Sequence, residues 1–425
     1  MKYASYHSLQ YTSDLSGICS VLYELGGLIV MHDSSGCNST FATHDEPRWY
    51  DTDSLIFISG LQEDDAVLGN DEKYIADVCE AAEEKHPKFI AVFGSPVALM
   101  TGTDFKGIAR IIEDRTGIPT FGFKTTGMHP YIAGAQQALC AIAERFCPPD
   151  VSGGTGAAPS GTHGLRVNLL GVTPLDFSVV GNVEALRSFL SDNGFEEVSC
   201  WCMGSDLPQI SRAGTADVNL VVSSMAIPAA KLLQEKYGTP YVVGSPMGTA
   251  GAARIAALLR TAAAEHVPDT LGEQYNVFKP NASFCVEEVE RQHQITDNID
   301  SLSDISSDIL IIAEPVRALS LRWLLGTVYD AQPLKIRVVC PTENAFGLLL
   351  SDDLLSNTED DIERMINASK LCIADPVYGN LLHTDSNTKL IRFPEETYSG
   401  RLYRSEIPVF IGPAFDRWLK KNLII

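Results

Sequence analysis

Short apolar runs recur along the chain with room for a helix between them: Leu28–His32, Phe89–Phe93, Val167–Leu170, Val218–Val222, Tyr241–Val243, Ile309–Ile312, Ile336–Val339, Leu371–Ile373 and Val409–Ile411. Runs of three to five residues without polar alternation suit strands covered on both faces, the pattern of parallel sheets. Several of the intervals carry helical spacing, as in Asp71–Lys85 with Tyr74, Ile75, Val78, Cys79 and Ala82, and in Val183–Asn193 with Ala185, Leu186, Phe189 and Leu190. Strand and helix alternate, which predicts an α/β chain of doubly wound parallel sheets. The stretch 151–163, rich in Gly, Ser, Ala and Pro, is unpatterned and reads as a linker. A weaker polar break falls near Asp297–Ser307. The expected division is 1–150, the linker 151–163, a middle domain 164–300 and a C-terminal domain 301–425, with each third forming its own βαβ layer.

Charge and motifs exclude several functions. With 32 basic against 54 acidic residues the formal charge is −22, so nucleic acid and anionic membrane surfaces are poor partners. No apolar run approaches the ~20 residues that span a bilayer. The first residues, Met1 to His7, lack a hydrophobic signal core, so a cytoplasmic location is expected. There is no GxxxxGK[ST], and the chain is not expected to hydrolyse ATP itself. HExxH and GxSxG are absent as well.

The 10 cysteines are too sparse for a disulfide scaffold. Two stand out. Cys19 follows Gly17 at the start of an amphipathic run, and Cys37 follows Gly36 just after the run Leu28–His32. Both are expected near a helix N-terminus, where unpaired N–H groups favour the metal-binding thiolate. Gly17 and Gly36 would let the backbone approach a bulky inorganic cluster. The separation of 37 − 19 = 18 residues matches no short CxxC pattern, and two thiols cannot complete a four-iron cluster. The residues alone therefore leave two readings open: buried core thiols, or half of an iron–sulfur site completed by a second chain. The remaining cysteines read as small buried hydrophobes, with Cys200 and Cys202 on one face of an expected strand.

The string His32-Asp33-Ser34-Ser35-Gly36-Cys37 resembles the HGSxGC signature of nitrogenase component 1, and Cys19 stands where that family has an upstream cluster cysteine. Further segments resemble the family in the same order: Glu63–Asn70, Phe89–Asp104, Thr125-Thr126-Gly127-Met128-His129-Pro130-Tyr131, Val167–Gly171, Ala216–Val221, Lys236–Tyr241, Ile312–Arg317 and Ala374-Asp375-Pro376. The resemblance spans nearly the whole chain. It implies three Rossmann-like domains around a central cleft, with Cys19 and Cys37 as ligands of a cluster.

Two departures narrow what the resemblance implies. The family's third cluster cysteine corresponds to Ser95, and the segment Val221-Val222-Ser223-Ser224-Met225 has serines where true nitrogenases hold their cofactor through cysteine. A four-iron four-sulfur cluster shared at a subunit interface is thus expected rather than a double-sized cluster or an iron–molybdenum cofactor. Its partners would be a second copy or a component 1 paralogue, an ATP-hydrolysing iron protein as electron donor, and a tetrapyrrole or small-molecule substrate. A non-catalytic scaffold or carrier for a metallocluster or tetrapyrrole is the alternative. His44 and His129 sit in candidate site loops as proton donors, and Gly17, Gly36, Ser95 and Thr126 are candidates to line the cofactor.

Overall fold

A computed structural model of the protein describes residues 11–34, 36, 46–149, 164–271, 299–329 and 334–423. The expected linker 151–163 lies outside these residues, as do Cys37 and His44. Three separate parallel sheets carry the fold. The first holds β1 (Leu28–His32), β2 (Leu55–Ile58), β3 (Ile90–Gly94) and β4 (Thr120–Gly122) in the order β2-β1-β3-β4. The second holds β5 (Arg166–Leu170), β6 (Glu196–Cys200), β7 (Val218–Val221), β8 (Tyr241–Val243) and β9 (Asp269–Thr270) in the order β6-β5-β7-β8-β9. The third holds β10 (Ser307–Ile312), β11 (Ile336–Cys340), β12 (Leu354–Leu355), β13 (Ser369–Ala374) and β14 (Lys389–Arg392) in the order β12-β11-β10-β13-β14. The chain is α/β, as the alternating pattern predicts.

Each sheet has its first strand inside, so strand order reverses beside it. Such reversals open a crevice at the carboxyl ends of the strands, where doubly wound folds place their ligands. The reversals lie between β1 and β3, between β5 and β7, and between β10 and β13. The central strands are wholly buried because both faces are covered: Leu28–His32, Ile90–Gly94 and Val218–Val221 expose essentially nothing. The helix Asp71–Lys85 packs Tyr74, Ile75, Val78 and Ala82 inward, on the stripe the sequence shows. Among the described residues no helix is long and apolar enough to cross a membrane.

Two local expectations are corrected. Val409–Ile411 forms no strand; Ile411 and Gly412 make only isolated bridges to Met247 and Gly248. Pro408 and Pro413 flank the run, and a residue without an N–H cannot extend a ladder. The last helix, Pro413–Asn422, instead packs against Gly248–Glu265 beside the second sheet. Cys202 is not in a strand either: β6 ends at Cys200, and Cys202 takes a φ of 84°.

Candidate functional site at the carboxyl edge of the first sheet

β1 and β3 pair in parallel with His32 opposite Gly94, so the residues that follow each strand emerge together. The Ser95 amide donates to the His32 carbonyl at 3.3 Å. Ser95 also starts the helix Pro96–Met100, its Oγ accepting from the Val97 amide at 3.3 Å. A hydroxyl at an N-cap followed by proline is a good helix start. Ser95 is therefore occupied as a cap and buried. Beside it, Thr125 donates its hydroxyl to the Gly94 carbonyl at 2.5 Å and accepts from the Gly94 amide at 3.2 Å.

The loop after β4 is held by Asp14, the first residue of the helix Asp14–Leu22. Its carboxylate accepts from the Thr126 amide at 2.8 Å and the Gly127 amide at 2.9 Å. Burial pushes the Asp14 carboxyl above the usual range, while these two amides pull it back by binding the charged form. Gly127 has a φ of 70°, and a Cβ there would meet Pro96 Cδ at 2.8 Å, so a side chain is excluded on both counts. Thr126, Ser95 and the first turn of Asp14–Leu22 thus form one packed group.

Cys19 sits one turn beyond Leu15 on the same helix face. A Cβ on Gly127 would lie 3.4 Å from Leu15 Cδ1, so this face turns toward the β3 and β4 loops. Cys19 is fully buried. It is the sixth residue of its helix rather than near the N-terminus, because the helix starts at Asp14. Gly17 proves to be a packing residue: a Cβ there would stand 2.0 Å from the Tyr131 carbonyl oxygen. The reciprocal contact is at Gly134, where a Cβ would stand 1.9 Å from the Asp14 carbonyl oxygen. The helices Asp14–Leu22 and Tyr131–Phe146 therefore cross at backbone contact. Among the described residues the nearest atom to a Cβ on Gly36 would be the Ser34 carbonyl oxygen at 4.0 Å. The His129 backbone belongs to this group, its carbonyl accepting from the Asp14 amide at 2.9 Å, but its ring turns away. Its side chain is half exposed, and Nδ1 stands 2.6 Å from Glu343 Oε1 of the third unit.

Two buried polar residues near this edge escaped the sequence reading. Arg48 is buried, with Nε 2.7 Å from Glu46 Oε1 and Nη1 2.8 Å from Glu24 Oε1. The same guanidinium donates to the carbonyls of Ser20 at 2.9 Å and Cys202 at 2.7 Å, so it ties the end of the Cys19 helix to the second sheet. His32 is buried with Nδ1 2.9 Å from Ser59 Oγ, and its ring lies 4.1 Å from Tyr74. Burial pulls its pKa down. The Glu46–Arg48 pair is local, but nothing in Glu46-Pro47-Arg48 signals its burial, since Glu24 and the Ser20 and Cys202 carbonyls that complete it are distant in sequence.

Among the described residues no three His, Cys, Asp or Glu side chains converge as a metal site. Among the described residues this edge offers the buried Cys19 thiol, the Asp14 carboxylate already taken by two loop amides, and the Ser95 hydroxyl already used as a cap. A carboxylate-rich site for a hard cation does not fit it. One or two thiols per chain suit part of a soft metal cluster whose other ligands come from elsewhere.

Residues 26–282, more than half of the chain, match the family model described as nitrogenase component 1 type oxidoreductase. The chain is 25% identical over 264 residues to the nitrogenase iron-molybdenum cofactor biosynthesis protein NifE of Clostridium pasteurianum, covering 60% of this chain and 52% of that one. It is 26% identical over 198 residues to the nitrogenase molybdenum-iron protein alpha chain of the same organism, covering 46% and 35%. It is 26% identical over 190 residues to one of the subunits of the light-independent protochlorophyllide reductase of Synechococcus sp. (strain JA-3-3Ab), covering 44% and 37%. The chain spans about half the length, or less, of the curated relatives it matches. A solved structure of nitrogenase Cp1 at pH 6.5 has the same fold, with a TM-score of 0.64 at 16% identity over 99% of this chain and 93% of that one. The chain belongs to the nitrogenase component 1 type oxidoreductase family.

Proposed function

We propose that the chain is the substrate-reducing component of a nitrogenase-like reductase, with Cys19 and Cys37 holding half of a four-iron four-sulfur cluster. The same two cysteines of a second copy, or those of a paralogous subunit, complete it. The observation that carries this reading is the assembly at one sheet edge of the Cys19 face, Ser95 and the Thr126 loop, below the point where the segment leading to Cys37 leaves β1. Exposed apolar side chains flank that edge. Val67 and Leu68 follow β2, Leu99 and Met100 follow β3, and Met128 follows β4; all are exposed. Strands that run parallel deliver these loops to one rim, and an apolar rim of this kind suits a protein partner.

The bound cluster would supply single-electron transfer between a donor and the substrate. This chain's own residues do the positioning. Asp14 anchors the Thr126–Gly127 loop, Arg48 fixes the end of the Cys19 helix against the second sheet, and Gly17 lets that helix sit close to Tyr131–Phe146. An ATP-hydrolysing iron protein is the donor in this reading, consistent with a chain that has no phosphate-binding loop of its own. The substrate is a tetrapyrrole or a small molecule. Anaerobically prepared protein is expected to be brown and paramagnetic when reduced, and to lose both properties in Cys19→Ala and Cys37→Ala. Iron at background after anaerobic reconstitution overturns the electron-transfer role.

A second reading is favoured by the NifE relatives: a scaffold or carrier that holds a metallocluster or tetrapyrrole and passes it on. Turnover separates the two. A reductase consumes substrate in proportion to electrons delivered, whereas a carrier loses its cargo to an acceptor with no substrate reduced.

A further inference from the structure

The strand reversals of the second and third sheets face one another across a buried polar cluster that the cysteine site does not use. Asp176 follows β5, Ser223 follows β7, Glu314 follows β10, and Glu395 lies just beyond β14. At the centre is Arg317, on the helix Pro315–Val328, with only 4% of its surface exposed. Its Nη1 stands 3.0 Å from Glu395 Oε2, and its Nη2 donates to the Asp176 carbonyl and lies 4.0 Å from Asp176 Oδ1. Tyr131 of the first unit donates to Asp176 Oδ1 at 2.6 Å. Glu314 accepts from the amides of Arg317 at 2.7 Å, Val316 at 3.1 Å and Ser224 at 3.3 Å. Residues from all three units therefore meet in one cluster.

The charges do not balance. Asp176, Glu314 and Glu395 face a single guanidinium, and the other described groups around them bring no cation inside. Tyr131, Tyr11, Tyr378, Tyr398 and Cys340 surround the cluster as neutral groups. Asp375, which accepts from the Glu395 amide at 2.9 Å, adds a further carboxylate. Arg404 is engaged by Glu396 at 2.6 Å, and Arg392 reaches Glu406 at 3.2 Å. Asp176 Oδ2 is buried without a hydrogen bond of ordinary geometry, and the buried Thr173 and Ser223 hydroxyls beside it favour its charged form only in part against burial. Uncompensated buried charge is costly, and taking up a proton removes it.

We infer that Asp176, Glu314, Glu395 and Arg317 form a proton-operated latch: the three units stay closed while the cluster holds protons and loosen when it gives them up. Burial, reinforced by the neighbouring carboxylates, pushes Glu314 up to about 7 and Glu395 up to about 8, against an ordinary 4.5, and burial alone pushes Asp176 upward against the pull of Arg317. The sign follows from linkage. A carboxyl whose pKa is raised in the closed form stabilises that form fully below its ordinary value, and the stabilisation is lost as pH rises through the raised value. Closure is thus strongest in mild acid and weakens between pH 4.5 and about 8. This inference does not depend on whether the chain reduces a substrate or carries one.

Hydrogen exchange of the full chain tests it, read on peptides covering 174–178 and 395–399 with Asp71–Lys85 as a remote control. After correction for intrinsic base catalysis, protection at the junction is expected to fall at least about tenfold between about pH 6 and pH 9, with the control unchanged. Glu395→Gln and Glu314→Gln, which imitate the protonated side chains, are each expected to flatten that fall. An equal fall in wild type and both variants, or none in wild type, overturns the latch. If the variants do not fold, carbon NMR of wild type labelled at the glutamate side-chain carboxyl decides. Two glutamates titrating above about pH 6 support the latch, and none overturns it.

Discussion

Gly17→Ala sets two effects of opposite sign against each other. In a helix interior alanine is favoured over glycine by about 1 kcal/mol, so local propensity alone expects stabilisation. The new Cβ would lie 2.0 Å from the Tyr131 carbonyl oxygen and 2.9 Å from the Ala135 amide nitrogen, both backbone atoms that cannot rotate away. Contacts below 3.0 Å are essentially never seen, so the two helices must part by 3.0 − 2.0, or about 1 Å. Overpacking of this kind costs about 1–3 kcal/mol. The displacement also stretches the two amide bonds to the Asp14 carboxylate, each a charge-assisted contact of about 1.5–3 kcal/mol. The packing loss wins, and the expected net change is a destabilisation of about 2–4 kcal/mol.

Equilibrium urea unfolding reads this, with circular dichroism and tryptophan fluorescence followed together so that non-coincident transitions reveal stepwise unfolding. At a slope of about 1–3 kcal/mol per molar, the midpoint falls by roughly 1 M. Gly251→Ala is the control. It lies in the helix Gly248–Glu265, and its Cβ would have nothing nearer than 3.7 Å, so alanine there is expected to stabilise by about 0.5–1 kcal/mol. If Gly17→Ala is as stable as wild type, the close crossing of Asp14–Leu22 and Tyr131–Phe146 is wrong, and so is the placement of the Cys19 face that rests on it.

Arg48→Met leaves Glu46 buried without its cation and is expected to cost about 3–5 kcal/mol, while the double change with Glu46→Gln should recover a large part of that in the same urea assay. Ser95→Ala removes the cap of Pro96–Met100 and is expected to cost about 1 kcal/mol. Ser95→Cys, which supplies the thiol that the family resemblance implies at this position, should lose the same cap and change the paramagnetic signal of the reduced protein. His32 has its pKa lowered from 6.5 by burial, so the folded state disfavours its charged form. Its contribution is present above pH 6.5 and lost as pH falls below it. His32→Phe should therefore reduce the loss of urea midpoint between about pH 7 and pH 5.5.

Much of the fold is readable because central parallel strands are apolar on both faces. Leu28–His32 and Ile309–Ile312 announce themselves for that reason, and the stripe of Asp71–Lys85 does so through its 3.6-residue period. Edge strands are harder. β6 reads Glu-Glu-Val-Ser-Cys and β14 reads Lys-Leu-Ile-Arg, so half-exposed positions carry charge and break the run. Val409–Ile411 misleads in the opposite direction: it is apolar because Phe410 packs against Phe177 and Phe393, not because it pairs in a sheet. At the cysteine site, glycine beside a cysteine looks like room for a cluster, yet Gly17 is explained by a helix 114 residues away in sequence, counted from Gly17 to Tyr131. Long-range backbone contact of this kind leaves no local trace. The buried cluster around Arg317 had a trace: Glu314-Pro315 and Asp375-Pro376 each follow a strand and cap a helix, a pairing of acid and proline with its own physical meaning.

Native mass spectrometry under anaerobic conditions tests the central claim most directly, on protein prepared with any chain that co-purifies from its native host. The expected species contains two chains and one cluster of about four irons and four sulfides, and it disappears in Cys19→Ala and in Cys37→Ala while circular dichroism shows the fold intact. A cluster of the same mass retained in either variant, or a metal-free chain in the presence of excess iron and sulfide, contradicts the claim that these two cysteines hold half of a shared cluster.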